Sequence, residues 1–178
     1  MKKLALLALL SFVAAIFAPA SMMAEDKTKR PSPPASASCT LADGKVTIDY
    51  SSPRVKGRKI FGDLVPYGKI WRTGANEATT FVTTTNVSVG GTDVPAGSYT
   101  IFTVPETGKW TLVISKTTGE WGTDYSGEAN DFARVPMTVS KTSGPVENFA
   151  IAFDQAGNKC TLHADWENTR ASVDIVKK

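Results

Sequence analysis

The chain has 178 residues, enough for one domain with a real core and too few to argue for two. Its formal net charge of +3 falls to +1 once residues 1–24 are set aside, because they hold Lys2 and Lys3 and no acid; no basic balance of the kind that nucleic-acid binding needs remains. One histidine and two widely separated cysteines exclude a multi-histidine or paired-thiol centre, so neither a metal nor a cofactor is expected.

Lys2 and Lys3 precede the apolar run LALLALLSFVAAIFA, which ends in Pro19 and small residues. Residues 1–24 read as a cleaved secretory signal peptide, not a membrane span. Cleavage after Ala24, which leaves a charged new N-terminus, is favoured over cleavage after Ala20. The expectation is an exported protein, periplasmic or extracellular, with no transmembrane anchor after processing. Residues 25–38 combine charge, proline and serine without large apolar side chains and read as an extended tether. The domain proper is expected over residues 39–178.

Residues 39–42 and 45–50 flank Asp43-Gly44, which predicts a hairpin turning at that pair. Strands follow at 79–86, 87–89 and 98–104, with Trp110, Leu112 and Ile114 repeating the alternation; the last three are expected as a meander. Further strands are expected at 132–140, 147–154, 159–166 and 171–176. With no sustained helical period after the leader, the fold class is all-β: a single-domain antiparallel β-sandwich. Cys39 alternates in phase with Leu41, and Cys160 with Leu162, Ala164 and Trp166, so both thiols face the apolar side. In an exported chain this predicts a disulfide between Cys39 and Cys160.

Residues 54–80 fit this pattern least. They carry Arg54, Lys56, Arg58 and Lys59, then Tyr67, Trp71, Arg72, Asn76 and Glu77 among glycines and a proline. A long aperiodic connection rich in aromatics is more often functional than neutral filler. It is expected to pack over the sandwich as a lid. The plainer reading makes Ile60, Phe61, Leu64, Val65, Ile70 and Trp71 the anchor of that lid, with Arg72 and Glu77 a structural ion pair. In a second irregular stretch, 117–131, Trp121 and Tyr125 either plug the end of the sandwich or stack on a ligand.

The chemical motifs give little. A G-x-S-x-G elbow is absent, and the run from Gly57 to Gly62 has Asp63 where a phosphate loop needs lysine. His163 falls on the polar face of its strand, as surface histidines do. Asp63, Glu77, Asp131, Asp165 and Glu167 are carboxylates that folding could bring together, which leaves an envelope-glycan hydrolase using Glu77 as the alternative to a non-enzymatic role.

Several motifs run through the chain: R-P-S-P at 30–33, D-Y-S-x-P-x-V-K-G-R-x-I-F-G at 49–62, L-V-P-Y-G-x-I-W-R-T-G-A-N-E-A-T at 64–79, V-P-A-G-x-Y-T-I-F at 94–102, W-G at 121–122 and W-E-N-T at 166–169. Together they resemble the bacterial family catalogued as domain of unknown function 2911. The resemblance implies an exported one-domain protein and no activity; the two cysteines are not part of its pattern. It coincides with the segment singled out above. The candidate ligand-binding residues are therefore Arg54, Arg58, Tyr67, Trp71, Arg72, Asn76 and Glu77, with Trp121 and Trp166 as an aromatic wall. The expected partner is a small polar ligand, such as a sugar, peptide or anionic group, or failing that an envelope component that pairs with the protein and no small ligand at all.

Overall fold

The computed structural model describes residues 26–122 and 124–178. The leader expected at residues 1–24, with its cleavage site, lies outside them. Nine strands form one antiparallel sheet in the order β1-β2-β3-β6-β7-β8-β9-β4-β5, which does not close into a barrel. They are β1 (Pro34–Leu41), β2 (Gly44–Ser51), β3 (Thr79–Thr83), β4 (Val87–Val89), β5 (Thr92–Val94), β6 (Gly97–Glu106), β7 (Lys109–Ser115), β8 (Asp131–Ala156) and β9 (Lys159–Lys177). The all-β expectation holds, and the two layers of the sandwich come from one continuous sheet folded over.

The fold-over lies in β8 and β9. Each covers two of the stretches read as separate strands, joined where the register slips between Lys141, Val146 and Ala150. Bulges bend a strand and sharpen its twist. Opposite them Glu167 has a φ of 51°, a left-handed conformation uncommon outside glycine. Up to that bend β8 pairs with β7; beyond it the hairpin tip returns to the start of the chain. There Gln155 donates to the Thr40 carbonyl at 2.8 Å, and the amides of Val55 and Phe149 reach the carbonyls of Glu147 and Pro53 at 2.9 and 2.8 Å. Cys39 and Cys160 are disulfide-bonded, joining β1 to β9 across 121 residues.

Alternation decides what faces the core. Leu41, Val46, Ile48, Phe81, Ile101, Leu112, Ile114, Val135, Leu162 and Ile175 are all buried in one cluster. A smaller cluster of Ala78, Phe102 and Val113 lies apart from it, with Ile70, Val104 and Tyr125 packed on top.

Three local expectations change. The stretch 25–38, read as an extended tether, holds a single 3-10 turn at Lys27–Lys29 capped by Asp26, and from Pro34 it is already strand β1, because its backbone pairs with β2, Pro34 opposite Ser51. The β1-β2 turn is made by Ala42 and Asp43: Leu41 pairs with Gly44, and Ala42 takes the positive φ of 52°. Gly44 is required for space instead, since a Cβ there would lie 2.2 Å from the Thr85 methyl. Finally, β4 leaves the expected meander and pairs with β9, where Val87 and Val89 find a core-facing edge beside Ile175, while β3 pairs directly with β6.

The disulfide closes a loop of 121 residues, which in the chain-entropy model is worth about 4–5 kcal/mol. A protein with both Cys39 and Cys160 changed to serine is expected to unfold at a clearly lower urea concentration than the wild type; coincident midpoints would show that the bridge adds nothing.

Candidate functional site

Residues 54–80 run from the end of β2 to the start of β3 as a series of turns held by isolated bridges. Trp71 exchanges both main-chain hydrogen bonds with Thr103 of β6 at 2.8 Å, and Glu77 forms a bridge to Trp121. Side chains complete the anchorage. Glu167 accepts from the Ile60 amide at 3.1 Å, and Thr79 donates to the Thr73 carbonyl at 2.8 Å. The Trp71 indole donates to the Gly74 carbonyl at 3.1 Å. Gly74 can carry no side chain, because a Cβ would sit 2.9 Å from the Ser51 carbonyl oxygen.

The aromatic residues of this segment belong to the core. Trp71 stacks on Trp166 with ring centres 5.8 Å apart and planes 14° from parallel. Phe61 meets Trp71, Trp110 and Trp166 edge-on at 6.2, 4.9 and 6.2 Å, and Phe149 closes the group at 5.1 Å from Trp71. Edge-to-face pairs of this kind are each worth about 0.5–1.5 kcal/mol beyond the area they bury. The lid reading therefore describes this half of the segment well. Trp71 and Trp166 are 7% and 2% exposed, so what they offer a cleft is an edge and not an open stacking face.

Over that cluster lies a cleft of about 380 Å³, within the range of small-ligand pockets. Of the nine candidate residues it gathers Arg58, Trp71, Arg72, Asn76 and Trp166, and Leu64, which is 47% exposed, stands on its margin. Thr73 and Asn76 have φ values of 55° and 57°. A β-branched residue in this region is strained, and such strain gathers at ligand clamps and active sites. Thr73 is held there by hydrogen bonds from its hydroxyl to the Trp71 carbonyl and the Thr103 hydroxyl, at 3.3 and 3.1 Å. Asn76 donates to the Ser32 carbonyl at 3.0 Å and accepts from the Gly122 amide at 3.0 Å.

Arg72 and Glu77 are not an ion pair. Arg30 Nη1 lies 3.0 Å from both Glu77 carboxylate oxygens, and Lys27 Nζ lies 2.9 Å from one of them. The N-terminal segment thus takes the carboxylate that Arg72 was expected to hold. Among the described residues the Arg72 guanidinium makes no hydrogen bond or ion pair, and its Nε is fully buried. Burial pushes its pKa down.

Glu77 lines a second cleft, of about 300 Å³, with Lys27, Arg30, Asp49 and Glu120. The hydrogen bond from Lys27, opposed by partial burial and reinforced by Arg30, lowers its pKa from 4.5 to about 2. A carboxyl group so ionised donates no proton near neutrality, so Glu77 is unsuited to the general-acid half of glycoside hydrolysis. Among the described residues no group of three or more His, Cys, Asp or Glu side chains is placed to hold a metal ion.

The remaining candidates scatter. The Arg54 side chain donates to the Ser52 carbonyl at 2.6 Å and its backbone bridges Asn148. Tyr67 and Trp121 are 46% and 56% exposed, Tyr67 lying over Gly62. In the 117–131 stretch it is Tyr125 that plugs, packing on Phe102 at 5.2 Å and hydrogen-bonding Asp131 at 2.7 Å. His163 is buried rather than on the surface, 3.6 Å from Asp154 and 3.4 Å from Asp165, which Arg170 holds through two hydrogen bonds. Sequence reasoning missed Lys27, Arg30, Ser32 and Glu167 as positioning residues; the R-P-S-P motif holds Arg30 and Ser32, W-E-N-T holds Glu167, and no motif holds Lys27.

Two outcomes are expected. Phe61→Ala should lower stability by about 3–5 kcal/mol in urea unfolding, and a loss under about 1 kcal/mol would mean that the segment is not anchored through this ring. For Glu77, a folded pKa below the unfolded one means that its contribution is fully present above pH 4.5 and is lost as pH falls from 4.5 toward about 2. The carboxylate is 37% exposed, so solvent screening keeps the effect small. Glu77→Gln should flatten stability against pH in that window, and an unchanged acid limb would show that the cluster does not bind the ionised form more tightly in the folded state.

No curated protein and no solved structure matches the chain. A family model described as "Protein of unknown function (DUF2911)" matches residues 32–175, which include the whole cleft and nearly all of the sheet. The chain is a member of that family.

Proposed function

We propose that the protein is an exported module that binds a small polar ligand in the cleft over Trp71. The observation that carries this reading is the cleft itself. It is assembled mostly from residues 54–80, which lie outside the nine strands except at Thr79 and Thr80, and its backbone is held in left-handed conformations at Thr73 and Asn76. Such strain persists only where the surroundings enforce it, and here the bonds that Thr73 and Asn76 donate to Thr103 and Ser32, and the one that Thr73 accepts from Thr79, do so. A cleft fixed in advance loses little entropy on binding. Export is supported by the apolar leader sequence and the disulfide, and among the described residues no helix is long and apolar enough to cross a membrane.

A thermal-shift screen against envelope sugars, peptidoglycan fragments, amino acids and nucleotides tests the reading through binding linkage. At least one compound is expected to raise the midpoint of the wild type and to leave Leu64→Trp, which fills the mouth of the cleft, unmoved. The unliganded midpoints of the two proteins should agree within about 1 °C, since Leu64 is a surface position. A screen in which nothing moves the wild type, or in which the variant responds equally, would turn the search to protein partners.

A further inference from the structure

On this reading of the cleft, we infer that its occupant carries an oxyanion, a carboxylate or a phosphate, received by the guanidinium of Arg72. A buried guanidinium is ordinarily paired, because moving a charge out of water without a partner is expensive. Arg72 is partly buried with its Nε fully enclosed, and no described residue pairs with it. The carboxylate nearest along the signature, Glu77, is engaged by Lys27 and Arg30. The lining of the cleft contains two arginines, Arg58 and Arg72, and no aspartate or glutamate. Arg58 is itself fixed, donating from Nε to the Val55 carbonyl at 3.0 Å and from Nη2 to the Arg54 carbonyl at 2.5 Å.

The two clefts therefore divide the charge. One holds Asp49, Glu77 and Glu120 together with Lys27 and Arg30; the other holds cations alone. Guanidinium groups match the planar spacing of carboxylate and phosphate oxygens through paired N–H donors, so an oxyanion is the group that would satisfy Arg72. Leu64, Pro66 and Ile70 line the same space, which fits an anionic head on a compact, partly apolar body rather than a fully hydroxylated sugar.

The experiment is a thermal-shift titration of the purified protein, expressed as the full chain, with acetate, succinate and inorganic phosphate as probes. Acetamide serves as the uncharged control, and sodium chloride holds the ionic strength constant. An oxyanion in about tenfold excess over its Kd is expected to raise the wild-type midpoint by about 3 °C, and acetamide to leave it unmoved. The carboxylate and phosphate arms identify which oxyanion is preferred. Arg72→Met should abolish the shift and, without any probe, melt at or above the wild type, because it removes an uncompensated charge and keeps the apolar stem. Arg72→Lys should keep a weaker shift.

Equal responses of wild type and Arg72→Met to the anions, or no response of the wild type to any of them, would overturn the inference. So would a markedly lower midpoint of unliganded Arg72→Met, which would make Arg72 a structural group. A response to acetamide or to an uncharged compound of the wider screen, lost in Leu64→Trp but kept in Arg72→Met, would overturn the oxyanion while leaving the binding cleft in place.

Discussion

The stack of Trp71 on Trp166 joins a segment with no regular hydrogen-bond ladder to a strand that comes almost a hundred residues later. Loop backbone is stable in a compact domain only if its polar groups are satisfied and its apolar side chains are enclosed. Trp71 meets both conditions at once: its backbone pairs with Thr103, its indole nitrogen donates to Gly74, and its ring fills the space between Phe61, Phe149 and Trp166. The turns on either side are consequences. With the indole fixed, the chain must reverse between Arg72 and Asn76 within the space left by Ser51, which accounts for the close approach at Gly74 and for the left-handed residues beside it.

Electrostatics then acts on a frame that packing has already set. Arg72 and Glu77 are close in sequence and opposite in charge, yet the intervening turns send them to different clefts. The carboxylate meets the two cations of the N-terminal segment, while Arg72 lines the cleft with Trp71, Trp166, Pro53 and Pro66. Residues 26–33 are thus part of the site's architecture although only Ser32 lines the cleft: they neutralise Glu77 and hold Asn76. The chain before β1 and the segment before β3 have to be considered together.

What was legible in the sequence follows the range of the interactions. Period-two alternation placed the core faces of β2, β6 and β7, and put Cys39 and Cys160 on the same side, because those features repeat locally. The aperiodic character of residues 54–80 was legible for the converse reason. Partnerships set by the fold-over were not. Nothing near Glu77 in the chain announces Arg30, nothing near Ile60 announces Glu167, and His163 reads as a surface residue until the bend of β9 brings Arg170 and Asp165 around it. The β1-β2 turn failed on a subtler point. Glycine in a turn is usually read as conformational freedom, whereas Gly44 is needed for space against Thr85 in the connection between β3 and β4.

The covalent link between Cys39 and Cys160 also sets the route that mechanical load takes through the molecule. Tension applied at the two ends of the chain crosses from β1 to β9 through the sulfurs and bypasses residues 40–159. Both arginines of the cleft, Asn76 and Trp71 lie within the bypassed loop, while Ser32, Arg30 and Trp166 lie outside it. Stretching would first peel the N-terminal segment from Glu77 and the outer limb of β9 from its neighbours. Load on the two ends would therefore reach the cleft's own backbone only through non-covalent supports, such as the bonds of Ser32 with Asn76 and of Glu167 with Ile60, which give way long before the covalent chain does.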